Sequence, residues 1–137
     1  MQTIIALILS IALNVGVDGN LAVSLALTEN RELDPLAVGT TGDLGIMQLN
    51  PYYLDYFVQE YWDKPEVFNW RNPEHNIYVG LRYLKYLIDI PGLNVWQAVI
   101  AYNCGIVPVL NGAPPNMSIE YANTVFFTWQ ERTGVIR

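Results

Sequence analysis

Cysteine is nearly absent: Cys104 is the only one in 137 residues. A lone cysteine excludes an intrachain disulfide and any multi-cysteine zinc site. Histidine is equally scarce, with His75 alone in N-P-E-H-N, and it reads as a surface residue in the first turn of a helix. No metal site and no cofactor are expected. Basic residues are few, seven Lys plus Arg against 13 Asp plus Glu, for a formal charge of −6. Without a positive cluster there is no footprint for nucleic acid.

Long apolar runs are also missing. The strongest, in M-Q-T-I-I-A-L-I-L-S-I-A-L-N, is about ten residues long where a bilayer span needs about 20. It has the length of a signal-peptide core, but a positive flank and an A-x-A-like cleavage site are absent. Residues 1–13 are therefore read as an apolar first helix in preference to a cleaved segment, and no membrane span is expected.

What is present describes a folded chain. Apolar residues make up 52% and charged residues 15%, the reverse of a disordered composition. The length suits one domain, residues 1–137, that buries roughly 65–70% of its unfolded surface.

Periodicity is helical almost throughout. Residues 19 to 30 carry Leu21, Leu25 and Thr28 on one stripe and Ala22, Ala26 and Glu29 on the next, so Glu29 falls at the end of an apolar helix. Residues 31 to 51 lose the pattern among Pro35, Gly39, Gly42, Gly45 and Pro51. Helical spacing returns from Asn76 to Ile90, ended by Pro91-Gly92. Asn94 can cap a further helix that Gly105 stops, and Ser118 can cap the last, which runs towards Gly134. The pattern predicts an all-α domain of five to six or more helices.

Three stretches carry polar groups that this architecture does not need. They are Glu29 in T-E-N-R-E-L-D-P, the loop G-D-L-G-I-M-Q-L-N at residues 42 to 50, and A-Y-N-C-G at residues 101 to 105. A carboxylic acid that emerges from an apolar helix into a partly dry cleft stays protonated to higher pH than usual, as an acid that cleaves glycosidic bonds must. Glycines let a loop's backbone approach a ligand closely. Between Tyr52 and Trp70 lies a cluster of aromatic residues, of which one or two could cover the apolar face of a sugar while the rest pack the core.

In order, the chain holds Glu29, Gly45-Ile46-Met47-Gln48, Asn76-Ile77-x-x-Gly80, Ala101-Tyr102-Asn103 and Tyr121. This series resembles the lytic transglycosylase domain of the SLT type, a lysozyme-like family that includes goose-type lysozymes. The resemblance spans residues 15 to 130 and implies a single lysozyme-like helical domain around a saccharide cleft. It implies that Glu29 is the one catalytic residue, acting first as acid and then as base. The substrate would be the β-1,4 bond between N-acetylmuramic acid and N-acetylglucosamine, with 1,6-anhydromuramic ends as product.

By the same resemblance, Gly45, Ile46, Met47 and Gln48 line the groove, Tyr102 hydrogen-bonds near Glu29, Asn103 contacts the sugar, and Tyr121 joins the site. The sequence departs from the family in having Asn30 where Ser usually follows the Glu. Asp43 precedes G-I-M-Q where goose-type lysozymes carry an acidic residue implicated in positioning water, so it is the candidate for a hydrolytic variant. Peptidoglycan glycan strands are the implied partner, with action on the cell wall from the periplasm, the exterior or a virion. The alternative of a different kind is a non-catalytic glycan-binding component of a phage virion or secretion machine.

Overall fold

An Asp before an apolar helix, a Pro after an Asn, and an Asn three residues before a Gln set the starts of three helices. The computed structural model describes residues 2–134. Helix α1 spans Gln2–Val15 and α2 spans Gly19–Glu29, where the Asp18 side chain accepts from Leu21 N at 2.9 Å. A 3-10 turn at Pro51–Tyr53 leads into α3, Leu54–Tyr61. Helix α4, Pro73–Ile88, starts at an Asn72 cap with Pro73 in its first turn, where the missing N–H costs nothing. Helix α5, Val95–Cys104, begins with a reciprocal capping box between Asn94 and Gln97 and ends at Gly105, φ +87°. The short α6, Ile106–Leu110, and the long α7, Asn116–Thr133, complete the chain. No β-strand forms among the described residues; the 31–51 connection contains isolated antiparallel bridges, Val38 to Leu44 and Leu44 to Leu49.

Helix α2 is the centre. Its residues Leu21 to Ala26 are all buried, as expected of a helix apolar on every side. It packs on α1 and α7, while α4 packs on α1, α3 and α5. The two hydroxyls inside this apolar helix are satisfied one turn back, Ser24 on Asn20 O at 2.7 Å and Thr28 on Ser24 O at 2.8 Å. From α1, Ile8, Ile11 and Ala12 enter the same core. Among the described residues no helix is long and apolar enough to cross a membrane.

Several local expectations change. His75 sits in the first turn of α4 but is 8% exposed, its ring tilted against Trp62 with centroids 4.3 Å apart and its Nδ1 accepting from Asn69 N at 3.0 Å. The loop that folds over the start of α4 buries it. Helix α4 starts at Pro73 and ends at Ile88, a few residues earlier at each end than the spacing predicts. Ser118 caps nothing: α7 starts ahead of it at Asn116, with Pro115 in the cap position and no side-chain cap bond.

Candidate active site

The apolar run of α2 carries Glu29 into the protein, and the helix ends there because Asn30 leaves helical geometry (φ −147°, ψ 89°). The Glu29 carboxyl meets a cavity of about 640 Å³ bounded by the 43–57 segment, α4 and the α5–α6 corner. Burial pushes its pKa from the ordinary 4.5 up to about 8; a hydrogen bond from the Tyr121 hydroxyl pulls it back somewhat, and the nearby Asp43 charge raises it further. That hydrogen bond, Tyr121 Oη to Glu29 Oε2 at 2.7 Å, comes from α7. Glu29 is thus a carboxylic acid that keeps its proton at neutral pH, in a cleft, with one oxygen fixed.

The loop beside it is held by side-chain amides. Asn76, 0% exposed in α4, accepts from Met47 N at 2.7 Å and donates to Leu44 O at 3.0 Å and Trp70 O at 3.2 Å. Asn30 donates to Gly45 O at 3.1 Å and to Asp34 O at 2.8 Å, so the residue that departs from the family's Ser ties the loop to the end of α2. Gly45 is required on two counts. Its φ is +74°, and a Cβ there would overlap the Asn76 amide. Gly80 has a related role, since a Cβ on it would come within 2.7 Å of Met47 Cβ and Cγ.

Within this loop the four residues read from the sequence divide. Gln48 lines the cavity at φ +53°, a left-handed conformation rare outside glycine, and its Nε2 donates to Gly45 O at 3.0 Å. Ile46 and Met47 do not line it. Both are 0% exposed, with side chains in the core, because the tight turn that exposes Gln48 turns its neighbours inward. Gly45 also stands behind the cavity wall, against Asn76.

Tyr102 lines the cavity, but its hydroxyl donates to Met47 O at 2.9 Å rather than to Glu29. Burial, then the Glu29 charge, raise its pKa well above the phenol range, so it remains a neutral donor. The direct bond to Glu29 belongs to Tyr121, whose pKa is likewise raised by burial and Glu29. Asn103 and Asp43 both line the cavity, and Asp43 Oδ2 accepts from Thr41 Oγ1 at 3.1 Å.

Of the aromatic residues between 52 and 70, Tyr53, Tyr56 and Phe57 face the cavity, joined by Tyr83 and Tyr86 from α4. Trp62 and Phe68 instead pack around His75. The spacing of Tyr83 and Tyr86 on one helix face is the signal that could have found them. Among the described residues no group of three or more His, Cys, Asp or Glu could hold a metal ion.

The family model "Transglycosylase SLT domain" matches residues 6–123. The chain belongs to that family. In three dimensions it is similar to the 70 kDa soluble lytic transglycosylase of Escherichia coli, with a TM-score of 0.72 and 21% identity. The likeness covers 86% of this chain and 22% of that one, so the SLT domain described here spans under a quarter of that enzyme. At that identity the likeness establishes the lysozyme-like fold. No protein of curated function matches the chain.

Proposed function

We propose that this SLT domain is a lytic transglycosylase that cleaves the β-1,4 bond between N-acetylmuramic acid and N-acetylglucosamine in peptidoglycan. The observation that carries the reading is Glu29, an acid pushed up to about 8 at the rim of a cleft large enough for a glycan. A carboxyl that is protonated at neutral pH can give its proton to the leaving glycosidic oxygen. The resulting carboxylate, still bonded to Tyr121, then takes the proton of the muramic acid C6 hydroxyl as that oxygen attacks C1, which closes the 1,6-anhydro ring. The single Glu returns to its starting state, and no water is consumed.

A second reading has its own observation. Asp43 lines the same cavity and its charge acts on Glu29, so a water held by Asp43 could replace the C6 hydroxyl and give hydrolysis. Either reaction places the domain at the cell wall, in the periplasm, outside the cell or on a virion, with glycan strands as partner and a larger assembly as the means of delivery. Mass spectrometry of peptidoglycan digested by the protein separates the two. Anhydromuramic ends, lighter by one water, are the expected product; reducing muramic ends establish hydrolysis, and no product from a folded protein leaves the non-catalytic glycan-binding role.

A further inference from the structure

The cleft that holds Glu29 is lined by a second acid, Asp43, and by no basic residue among those described. Arg31, Lys64, Arg71, Arg82, Lys85 and Arg132 all lie outside its wall. Arg82 and Lys85 are engaged elsewhere, 3.3 Å from Asp63 and 3.1 Å from Asp89, while Lys64 and Arg71 sit over the rings of Tyr78 and Trp70. The Asp43 charge acts on both Glu29 and Tyr102, and no positive charge opposes it at either. Walls of low dielectric concentrate such a one-signed field inside a cleft. A carboxylate that enters gives up water and finds no cation in exchange, whereas an amide of the same shape loses far less. Muramic acid carries a group of this kind on the sugar itself. Its lactyl carboxyl is an amide where the stem peptide is attached and a free carboxylate once that peptide has been hydrolysed off.

We propose that this cleft, acidic and without a cation, selects glycan strands whose lactyl carboxyls are masked as amides and disfavours strands stripped of their peptides. The inference rests on the glycan reading above and narrows it to one class of strand. Its consequence is an order of events. The domain acts on strands before the amide hydrolysis that removes the stems, and the stripped product of that hydrolysis is a poor ligand for it.

The test is calorimetric binding to the Glu29→Gln protein, which does not turn over, of a tetrasaccharide of alternating N-acetylglucosamine and N-acetylmuramic acid in two forms. One has free lactyl carboxylates and the other has lactyl primary amides, nearly the same in shape and different in charge. At an ionic strength of about 0.01 M the amide form is expected to bind about tenfold more tightly, the size of one like-charge repulsion across a cleft. At about 1 M salt the two should agree within about twofold, because screening then acts within a few ångströms. Asp43→Asn removes the charge and should bring the two forms within about threefold at low salt. Equal binding at low salt, tighter binding of the carboxylate, or a ratio that neither salt nor Asp43→Asn changes overturns the charge selection and leaves the glycan reading standing. A folded protein that binds neither form overturns the glycan reading, and the inference with it.

Discussion

The two sides of the cleft are built in opposite ways. On the Glu29 side polar groups are fixed by one another: Tyr121 holds one carboxyl oxygen, Tyr102 the Met47 carbonyl, Asn76 and Asn30 the loop backbone. The opposite side is a set of rings, with Tyr53, Tyr56 and Tyr86 each about half exposed. The first side spends its hydrogen bonds on geometry, which a reacting bond requires, since catalysis suffers from small misplacements. The second offers area, which a sugar face can use at low demand for register. Substitutions should therefore separate chemistry and stability on one side from affinity on the other.

The largest effect is expected at Glu29. Glu29→Gln should lower cleavage by on the order of 10²–10⁴-fold or more, as loss of an acid does, while circular dichroism shows the fold unchanged. With its pKa raised to about 8, cleavage by the unaltered protein should fall as pH rises through that value, because the acid form disappears. Stability follows the same group. Below pH 4.5 the folded and unfolded chains both hold this proton and the group contributes nothing; between 4.5 and about 8 only the folded chain holds it, so stability declines across that window. Glu29→Gln should accordingly melt higher than the unaltered protein at pH 8 and equal to it at pH 4, and a scan of melting temperature against pH checks both ends.

Next comes Asn76→Ala, which strips the buried loop of one acceptor and two donor bonds. Leaving those backbone groups unpaired should cost about 3 kcal/mol, read from the shift of a urea midpoint. Gly80→Ala presses on Met47 from α4 and should cost about 1–3 kcal/mol by overpacking, with loss of cleavage as the loop shifts. A fully active Gly80→Ala protein would show that the loop's position is not demanding. Smallest in stability is Tyr56→Ala on the opposite side, within about 0.5 kcal/mol, although KM for glycan should rise severalfold with kcat nearly unchanged.

This contrast also governs how much of the molecule could be read beforehand. Helices α2, α4 and α5 announce themselves through apolar spacing, α5 also through its Asn94 cap, and the family's motif order places Glu29, Gln48, Tyr102, Asn103 and Tyr121 around one cleft. Helix α3 has helical spacing in Leu54, Phe57, Val58 and Tyr61, but only over eight residues inside an aromatic cluster that reads equally as sugar platform or core, while α6 is five residues long, contains Pro108 and shows no period. A motif lists residues but not the direction of their side chains. Ile46 and Met47 thus read as groove and fold as core, while Tyr102, read as hydrogen-bonding near Glu29, bonds the Met47 carbonyl, and the direct bond to Glu29 comes from Tyr121. Ser118 is a sound cap by type; only the earlier start of α7 sends its hydroxyl to Asn103.

The bond between Glu29 and Tyr121 joins residues 92 positions apart, and the far end of the same helix is tied by Trp129 to Asp18 at the start of α2. A chain in which α7 has come away admits water to Glu29, whose affinity for its proton then reverts towards that of an ordinary side chain. The acid is therefore a property of the finished molecule. On the function proposed above, a nascent, nicked or partly opened copy lacks that acid, and cleavage waits until α7 is in place.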